Sequence, residues 1–324
     1  MFKVNELFAG IGAFRKALQR QGIPHEIVGI SEIDKFAIKS YEAMYGATRN
    51  YGDISKVDKL DYADLWTYGF PCQDISAIGK QVGIVKNKTR SGLLYEVQRL
   101  LSVSKEYNEL PKFLILENVK NLVGINFIGK FEEWIKWLDN IGYSSYWKVI
   151  NAKDCGIPQN RERLIAISIR KDIDRGFTFP GLVLLKSFMC DFLEENAEDK
   201  YFCSDAFVKF AEEKTVKMSA IGNGFKFKPR ERERGLIAHT ITTKAGSRID
   251  DNFIKERMCD GKFRIRKLTP LECWRLMGFD DEDFRKAEAV NSNTQLYKQA
   301  GNSIVVNVLE GILANLQRQY IADN

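Results

Sequence analysis

The sequence predicts an α/β fold, in which a doubly wound, mostly parallel sheet carries helices on both faces and a smaller lobe is attached to it. Three observations favour this class. Strand-like and helix-like segments alternate up to residue 142, two β-rich segments then follow one another directly, and the charge balance changes beyond residue 171. In such a sheet the functional groups lie beyond the carboxyl ends of the strands.

Each element follows from the local spacing of apolar residues. Short apolar segments predict strands, and apolar residues at three- and four-residue spacing predict helices. The predicted strands cover residues 3–8, 26–30, 64–69 and 112–117. The predicted helices cover residues 13–21, 35–44, 93–103, 131–142 and 303–317. The β-rich segments 144–151 and 163–169 can pair with one another, which adds an antiparallel end to the sheet.

The composition is that of a soluble globular protein. Of the 324 residues, 44% are hydrophobic and 28% are charged, and no apolar segment reaches the length of a membrane span. The chain starts without the pattern of a secretory leader, so we expect a cytoplasmic protein. The six cysteines form no CxxC pair, and only two histidines accompany them. This distribution predicts reduced thiols, with neither a disulfide framework nor a bound metal.

The net charge of +6 is unevenly distributed along the chain. Residues 172–215 carry 5 basic and 10 acidic residues, a net charge of −5, whereas residues 216–267 carry 14 basic and 6 acidic residues, a net charge of +8. A solvated surface of mixed charge is the ordinary interpretation of such segments. An acidic half beside a basic half favours instead one face turned towards a polyanion and the other turned away.

A glycine-rich turn, FAGIGA at residues 8–13, follows the first predicted strand. Such a turn lets a ligand approach the backbone closely. Glu32 lies 22 residues beyond Gly10, just past the second strand, where an acidic side chain commonly binds a ribose. A dinucleotide site would carry a third glycine where this chain has Arg15. We therefore expect a nucleoside ligand without a pyrophosphate, with Asp53 as a third contact.

Three further sets of polar residues follow strand ends. Cys72, within GFPCQDIS, stands after the third strand and before a glycine-studded segment, a position typical of a nucleophile covered by a loop. Glu117 is the last residue of the fourth predicted strand. There it is expected to be a partly buried carboxylate, and the alternative is an acidic residue that stabilises the start of the following helix. Arg161 and Arg163 are two residues apart, so in an extended segment their side chains share one face. A surface salt-bridge pair is the alternative for these arginines.

Together these motifs resemble the DNA (cytosine-5) methyltransferases of bacterial and phage restriction–modification systems. The resemblance rests on ordered segments that span most of residues 6–312: ELFAGIGAF, SEID, GDI, GFPCQDIS, RSGLLYEV, ENV, QNRERL, RKLTPLECWRLMGF and YKQAGNSIVVNV. Ala13 stands where the family usually has glycine and Ile75 where it usually has phenylalanine, and neither change removes a chemical group. The fold implied is the Rossmann-like sheet of methyltransferases that use S-adenosylmethionine.

The resemblance implies methyl transfer from S-adenosylmethionine to carbon 5 of a cytosine flipped out of double-stranded DNA, which leaves S-adenosylhomocysteine. Cys72 would add to carbon 6 of the ring and so make carbon 5 nucleophilic. Glu117 would bond the ring near nitrogen 3, while Arg161 and Arg163 would hold its carbonyl oxygen and order the site. The loop after Cys72 would close on the DNA, with Lys80 among its phosphate ligands.

The resemblance also implies binding residues and domains. Cofactor binding is expected of Phe8, Gly10, Gly12, Glu32, Ile33, Asp53, Ile54, Pro71, Leu93, Asn302 and Ser303, with Glu32 on the ribose and Asp53 on the adenine amino group. DNA binding is expected of Gln73, Lys80, Thr240, Ile241 and Thr242. The positive charge of residues 216–267, and not the resemblance, is the reason to expect phosphate contacts of Lys226, Lys228, Arg230, Arg232 and Arg234. Residues 1–170 with 266–324 would form the catalytic domain and residues 171–265 the target-recognition domain. We expect a monomer on DNA, encoded by a bacterium or phage, with a cognate restriction endonuclease as a further partner.

Two alternatives stay open at this point. A tRNA cytosine-5 methyltransferase would share the catalytic motifs, but that branch carries a Cys-Phe-Thr triplet in its lobe, which this chain lacks. A nucleotide-dependent oxidoreductase or a non-catalytic DNA-binding module belongs to a different class. The missing third glycine argues against the oxidoreductase, and the combination of Cys72, Glu117 and Arg161 argues against the binding module.

Overall fold

A computed structural model of the chain describes residues 1–71, 90–220, 222, 226–232, 236–258 and 261–321. The described strands are β1 (Phe2–Leu7), β2 (His25–Ser31), β3 (Leu65–Tyr68), β4 (Phe113–Val119), β5 (Tyr143–Asn151), β6 (Gln159–Asn160), β7 (Glu162–Arg170), β8 (Arg230–Glu231), β9 (Ala238–His239), β10 (Phe253–Arg257) and β11 (Phe263–Lys267). The described helices are α1 (Ala13–Arg20), α2 (Lys35–Tyr45), α3 (Leu94–Glu106), α4 (Ile128–Ile141), α5 (Asp205–Ala220), α6 (Pro270–Leu276), α7 (Asp281–Glu288), α8 (Asn293–Asn302) and α9 (Val306–Leu316). These elements form two compact units, the first made of Met1–Asn151, Glu162–Leu182 and Val306–Asn324 and the second of Ala152–Arg161 and Val183–Val305.

The first unit is built on a six-stranded sheet in the order β2-β1-β3-β4-β7-β5. Strands β1 to β4 are parallel, and β7 runs antiparallel to both β4 and β5. The predicted α/β fold, mostly parallel with an antiparallel addition, is therefore confirmed. Leu7 pairs with Ser31 and with Tyr68, so β1, β2 and β3 end at the same level. The loops that leave these carboxyl ends consequently share one edge of the sheet.

The predicted elements of this unit lie within three residues of the observed ones. Strand β3 is buried along its whole length, as expected for an apolar strand in a sheet covered on both faces. Helix α4 ends at Gly142, whose φ of 110° lies in the left-handed region that favours glycine. The spacing of buried residues and the end of a helix both depend on residues that are neighbours in the sequence. The local pattern of apolar residues was therefore sufficient to locate these elements.

Helix α9 returns the end of the chain to the first unit. It packs beside α1, where Arg20 and Glu310 form an ion pair of 3.1 Å. Asn315 donates a hydrogen bond of 2.8 Å to the carbonyl oxygen of Thr178. The predicted C-terminal helix is thus present, and it lies beside the helix that follows the glycine-rich turn.

The second unit contains two small sheets and the helices α5 to α8. Strand β10 pairs antiparallel with β11 and parallel with β8, and β6 pairs parallel with β9. The rings of Phe207, Phe227 and Phe253 pack against one another, with centroids 5.0 to 6.0 Å apart. Arg266 is fully buried and pairs with Glu256 and Glu272, each at 2.8 Å. Its charge is therefore balanced inside the unit, as burial of an ion requires.

The compact units and the predicted domains divide the chain differently. The predicted boundary between residues 265 and 266 falls within β11, and helices α6 to α8 lie in the second unit. Packing does not say which residues act on a cofactor or on DNA, so the functional division stays a prediction. Across the described ranges, no helix is both long and apolar enough to cross a membrane, and no group of three side chains is suited to holding a metal ion.

Candidate active site

The glycine-rich turn joins β1 to α1 at the carboxyl edge of the sheet. Phe8, Gly10 and Gly12 have φ angles of 58°, 56° and 76°, so every second residue of the turn is left-handed. The Phe8 amide donates to the carbonyl oxygen of Ser31 at 2.7 Å, which ties the turn to the end of β2. Among the described residues, nothing lies within 4 Å of where a Cβ of Gly10 would stand. The backbone at Gly10 is therefore open to a ligand.

Gly12, by contrast, is covered by two aromatic rings of α2. A Cβ at this position would lie 2.6 Å from the ring of Tyr45 and 2.7 Å from the ring of Tyr41. The Tyr45 hydroxyl also donates to the carbonyl oxygen of Gly12 at 3.0 Å. Gly12 therefore permits close packing under the turn, while Gly10 forms its accessible part.

Glu32, just past β2, holds the turn from the side of the neighbouring strand. Its carboxylate accepts hydrogen bonds of 2.8 Å from the amides of Gly10, Ile33 and Asp34. The Ile33 side chain is 72% exposed, which leaves an apolar surface next to this carboxylate. Both predicted cofactor residues thus lie beside the open part of the turn.

Asp53 lies in the loop that follows, which is tied to the end of β2 because the Ser31 hydroxyl donates to the carbonyl oxygen of Gly52 at 2.7 Å. The Asp53 carboxylate accepts from the hydroxyl and the amide of Ser55 at 2.8 and 3.0 Å. These hydrogen bonds lower the pKa of Asp53, so the group is ionised at neutral pH. The side chain of Ile54 is buried in the core, so only its backbone can meet a ligand.

Glu6, which sequence reasoning missed, lies beneath the turn and is 1% exposed. It accepts hydrogen bonds from the Arg15 amide at 3.0 Å and from the Tyr41 hydroxyl at 2.5 Å. The Arg15 guanidinium lies 4.9 Å from the centroid of the Tyr45 ring, so the residue at the third glycine position covers this cluster. Burial raises the pKa of Glu6 to about 7. An acidic residue inside an apolar strand was the available signal.

Glu117 and Arg163 meet at neighbouring positions of β4 and β7. Arg163 Nε lies 3.1 Å from Glu117 Oε1, and both side chains are partly buried. Gly69 lies against the same carboxylate, since a Cβ there would stand 3.4 Å from Glu117 Oε2. Gly69 is three residues before Cys72 in the sequence. Two predicted catalytic side chains are therefore in contact, beside the segment that leads to the third.

Asn118 is a second residue that sequence reasoning missed, although it belongs to the motif ENV. Its side-chain amide donates to the carbonyl oxygen of Phe70 at 3.1 Å, and its side-chain oxygen accepts from the amide of Val119 at 2.9 Å. Because Asn118 is buried, this contact fixes the backbone that precedes Pro71. The motif itself was the signal, but the role depends on a partner in the segment that follows β3.

Three predicted residues lie outside the described part of the chain, namely Cys72, Gln73 and Lys80. Pro71 and Leu93, both predicted to bind the cofactor, flank this part of the sequence and are partly buried. Their assignments stay predictions.

Arg161 belongs to the second unit, where it is 3% exposed. Its guanidinium donates to the carbonyl oxygens of Ile241, Gly301 and Ser303 at 2.9, 3.0 and 2.8 Å. The sequence suggests one shared role for the two arginines of QNRERL, but their partners differ. Arg161 joins the segment that contains Ile241 to the end of α8. Asn302 is exposed at the last position of that helix, and Ser303 is buried directly after it.

The predicted recognition segment, residues 240–242, is supported by the residues just before Arg161. The partly exposed Thr240 donates from its hydroxyl to the carbonyl oxygen of Asn160 at 2.7 Å, and the Ile241 amide donates to Gln159 Oε1 at 2.9 Å. Ile241 is 1% exposed, so its side chain and both its backbone groups are engaged within the unit. The Thr242 hydroxyl is buried without a partner among the described residues. Ile241 therefore positions its two neighbours, of which Thr240 is partly exposed.

The basic residues predicted to contact phosphate are not equivalent. Arg232 pairs with Glu256 at 2.6 Å and donates to the carbonyl oxygen of Glu194 at 2.7 Å. Its charge is therefore partly balanced within the unit, and its expected phosphate contact stays a prediction. Lys226 and Lys228 are exposed, while Arg234 lies outside the described residues.

Comparison with known proteins assigns nearly the whole chain to one family. The family described as C-5 cytosine-specific DNA methylase matches residues 2–318. The chain is 36% identical to the type II methyltransferase M2.ScrFI of Lactococcus lactis subsp. cremoris, with 98% of this chain and 99% of that protein covered. It is 34% identical to the type II methyltransferase M.HhaI of Haemophilus parahaemolyticus, with 96% and 93% covered. It is 32% identical to the orphan methyltransferase M.SPBetaI of Bacillus phage SPbeta, with 98% of both covered.

Solved structures agree on the fold. The S. pombe Dnmt2 methyltransferase superposes with a TM-score of 0.75 at 22% identity, covering 98% of this chain and 99% of that one. The Entamoeba histolytica methyltransferase EhMeth superposes with a TM-score of 0.74 at 17% identity, covering 98% of each chain. At these identities the likeness establishes the architecture.

Proposed function

Because the chain belongs to the C-5 cytosine-specific DNA methylase family and is thus a DNA (cytosine-5) methyltransferase, we propose that it methylates a flipped cytosine within a specific sequence of double-stranded DNA. The observation that carries the proposal is the contact between Glu117 and Arg163, beside Gly69 and the segment leading to Cys72. A thiol, a carboxyl group and a guanidinium are the groups needed to add to a cytosine ring and to stabilise the charge that results.

Cys72 is the proposed nucleophile. Its thiolate forms a bond to carbon 6, and the electrons of the double bond between carbons 5 and 6 move into the ring and make carbon 5 nucleophilic. Glu117 bonds the ring near nitrogen 3, and Arg163 orients that carboxyl group and binds the ring carbonyl oxygen. Once carbon 5 carries the methyl group, a base removes its proton and Cys72 leaves as the thiolate. Arg161 supports the reaction through the residues that it holds in place.

S-adenosylmethionine supplies an electrophilic methyl group when bound, and the first unit has residues that fit it. The open backbone at Gly10 admits close approach, and the adjacent Glu32 carboxylate suits ribose hydroxyls. The exposed Ile33 suits the face of an adenine ring, and the ionised Asp53 suits its amino group. Asn302 and Ser303, at the end of α8, are proposed as further cofactor-binding residues because they belong to the motif QAGNS.

Sequence recognition is proposed for the second unit. Residues 240–242 are held rigidly by Gln159, Asn160 and Arg161, and a rigid segment can place Thr240 against a base edge. The exposed Lys226 and Lys228 suit the phosphate backbone. The type II names of the relatives support a restriction–modification context, and we propose action as a monomer with a cognate endonuclease in the same system.

Transfer of a labelled methyl group to mixed genomic DNA, followed by sequencing of the 5-methylcytosine positions, tests the proposal. Wild-type protein should label one sequence, and Cys72→Ala should bind DNA and S-adenosylmethionine without transferring methyl groups. Cys203→Ala, which removes a half-buried free thiol of the second unit, is the matched control and should keep activity. Near-normal turnover by Cys72→Ala would contradict the covalent mechanism. Labelling of tRNA in place of DNA would contradict the substrate.

A further inference from the structure

An open pocket of about 440 Å³ lies in the second unit and has no part in the mechanism above. Lys200, Lys244 and Lys267 line it, and no carboxylate is found among its described lining residues. Ser247 and Asn293 add neutral donors. Three ammonium groups together with a hydroxyl and an amide match an anion that has several acceptor oxygens.

Two tyrosine rings hold one of these ammonium groups in place. Lys267 Nζ lies 5.4 Å from the centroid of the Tyr297 ring and 6.0 Å from that of the Tyr201 ring. Both tyrosine hydroxyls are engaged, since Tyr201 accepts from Asn293 at 2.9 Å and Tyr297 donates to the carbonyl oxygen of Leu268 at 2.6 Å. The wall of the pocket is therefore formed before any ligand arrives, which lowers the ordering cost of binding.

Gly246 brings the loop that carries Lys244 against Lys267. Its φ is 79°, and a Cβ at this position would stand 2.5 Å from Cδ of Lys267. Residues 243–247 follow directly on the recognition segment, residues 240–242. An anion bound in this pocket would consequently lie close along the chain to the proposed base contacts.

The lysines differ in how far their charges are already balanced. Lys200 pairs with Glu198 at 2.7 Å, an exposed pair that contributes little. Lys244 and Lys267 form no ion pair with a carboxylate in the part of the chain that the structure describes. Two unbalanced charges that face one pocket are what a polyanion attracts.

We propose that this pocket binds a phosphodiester group of the DNA backbone beside the target sequence, through Lys244 and Lys267. The inference rests on the proposed function in taking double-stranded DNA as the substrate. It also changes the expectation drawn from charge counts. Lys200 and Tyr201 belong to the acidic segment 172–215, which was predicted to face away from phosphates, yet both line the pocket.

The salt dependence of duplex binding tests the proposal with Lys244→Gln and Lys267→Gln. Lys209→Gln, on an exposed position of α5, is the matched control with the same loss of charge. Each pocket variant should reduce the slope of log affinity against log salt by about 0.9, the value for one lost phosphate contact, and the control should leave it unchanged. Lys244 is exposed, so its variant should fold normally. Wild-type slopes for both pocket variants would overturn the inference.

Duplexes with one uncharged methylphosphonate linkage at a time locate the phosphate. At one or two linkages the replacement should weaken binding by wild-type protein but not by Lys244→Gln, because that contact is already lost. If every methylphosphonate linkage reduced the affinity of the wild type and of Lys244→Gln equally, the proposal would be overturned. A second result would also overturn it: the wild type binds inorganic phosphate, Lys244→Gln does not, and the two proteins show the same salt slope for duplex binding. The pocket would then hold a free anion and not a DNA phosphate. Methyl transfer by the wild type tests the proposed function separately: transfer with unchanged slopes removes this inference and leaves the function standing.

Discussion

The backbone of Gly301, near the end of α8, lies directly against the backbone of Thr243. A Cβ on Gly301 would stand 2.2 Å from the amide nitrogen of Thr243 and 2.4 Å from the carbonyl carbon of Thr242. Backbone atoms cannot move aside by changing rotamer, so this contact admits only glycine. The end of the recognition segment is therefore placed by a residue of the distant motif QAGNS.

Gly301→Ala should displace this segment, lower the free energy of unfolding by about 1–3 kcal/mol and weaken binding of the cognate duplex. Gly129→Ala is the control, because nothing among the described residues lies within 4 Å of its Cβ position in α4. Alanine there should add about 0.5–1 kcal/mol and leave duplex affinity unchanged. Thermal unfolding and duplex titration measure both effects. A wild-type melting curve and affinity for Gly301→Ala would contradict the close contact.

Arg161→Met should destabilise the protein by about 2–4 kcal/mol, since three carbonyl oxygens, two of them in buried hydrogen bonds, lose their charged donor. Arg163→Met is the comparison, because its guanidinium contacts the partly exposed Glu117 carboxylate and the exposed carbonyl oxygen of the adjacent Glu162. We expect Arg163→Met to reduce methyl transfer with a smaller loss of stability. Chemical denaturation and a transfer assay on both variants separate the two roles. Equal stability losses would show that the arginines are not distinguished by their partners.

Glu6→Gln should change how stability depends on pH. Burial raises the pKa of Glu6 from 4.5 to about 7, so the native state binds the proton more tightly than the unfolded chain does. The stability that protonated Glu6 contributes is therefore full below pH 4.5 and is lost as the pH rises through about 7. Glutamine stays neutral throughout this window. Relative to the variant, the wild type should lose roughly 3 kcal/mol between pH 4.5 and pH 8.

Unfolding free energies of the two proteins at several pH values measure this difference, in which other titrating groups cancel. Glu42→Gln, at an exposed position of α2, is the matched control and should parallel the wild type at every pH. A constant difference between wild type and Glu6→Gln would mean that Glu6 does not titrate in this range.

Glu32→Ala and Asp53→Ala should weaken binding of S-adenosylmethionine by about 1.5–3 kcal/mol and slow transfer much less at saturation. Glu32→Ala should have the larger effect, because its carboxylate also holds three backbone amides of the site. Asp58→Ala, at an exposed position nearby in the sequence, serves as the control. Calorimetric titration gives the affinities, and unchanged values for both site variants would refute the assignment.

The sequence by itself located the six strand segments of the sheet and placed the functional groups beyond the carboxyl ends of its strands. Apolar alternation locates a strand, and a left-handed glycine such as Gly142 ends a helix, because both depend on neighbouring residues alone. The same reasoning found Glu32 and Glu117, since parallel strands bring their carboxyl ends to one edge. This reasoning did not find Glu6, because the role of an acidic residue inside a strand depends on its hydrogen-bond partners. These are the Arg15 amide and the Tyr41 hydroxyl, and the sequence pattern does not specify them.

Only the tertiary structure decided which distant segments support one another. Arg161 bonds to carbonyl oxygens 80 and 140 residues away, and no local pattern specifies such partners. The charge count of a segment is limited for the same reason. It sums side chains that face different directions, so it shows neither that Arg232 pairs with Glu256 nor that Lys200 lines a pocket with Lys244 and Lys267. The direction and surroundings of a side chain are set by packing between segments that are remote in sequence, and these decide whether its charge reaches a ligand.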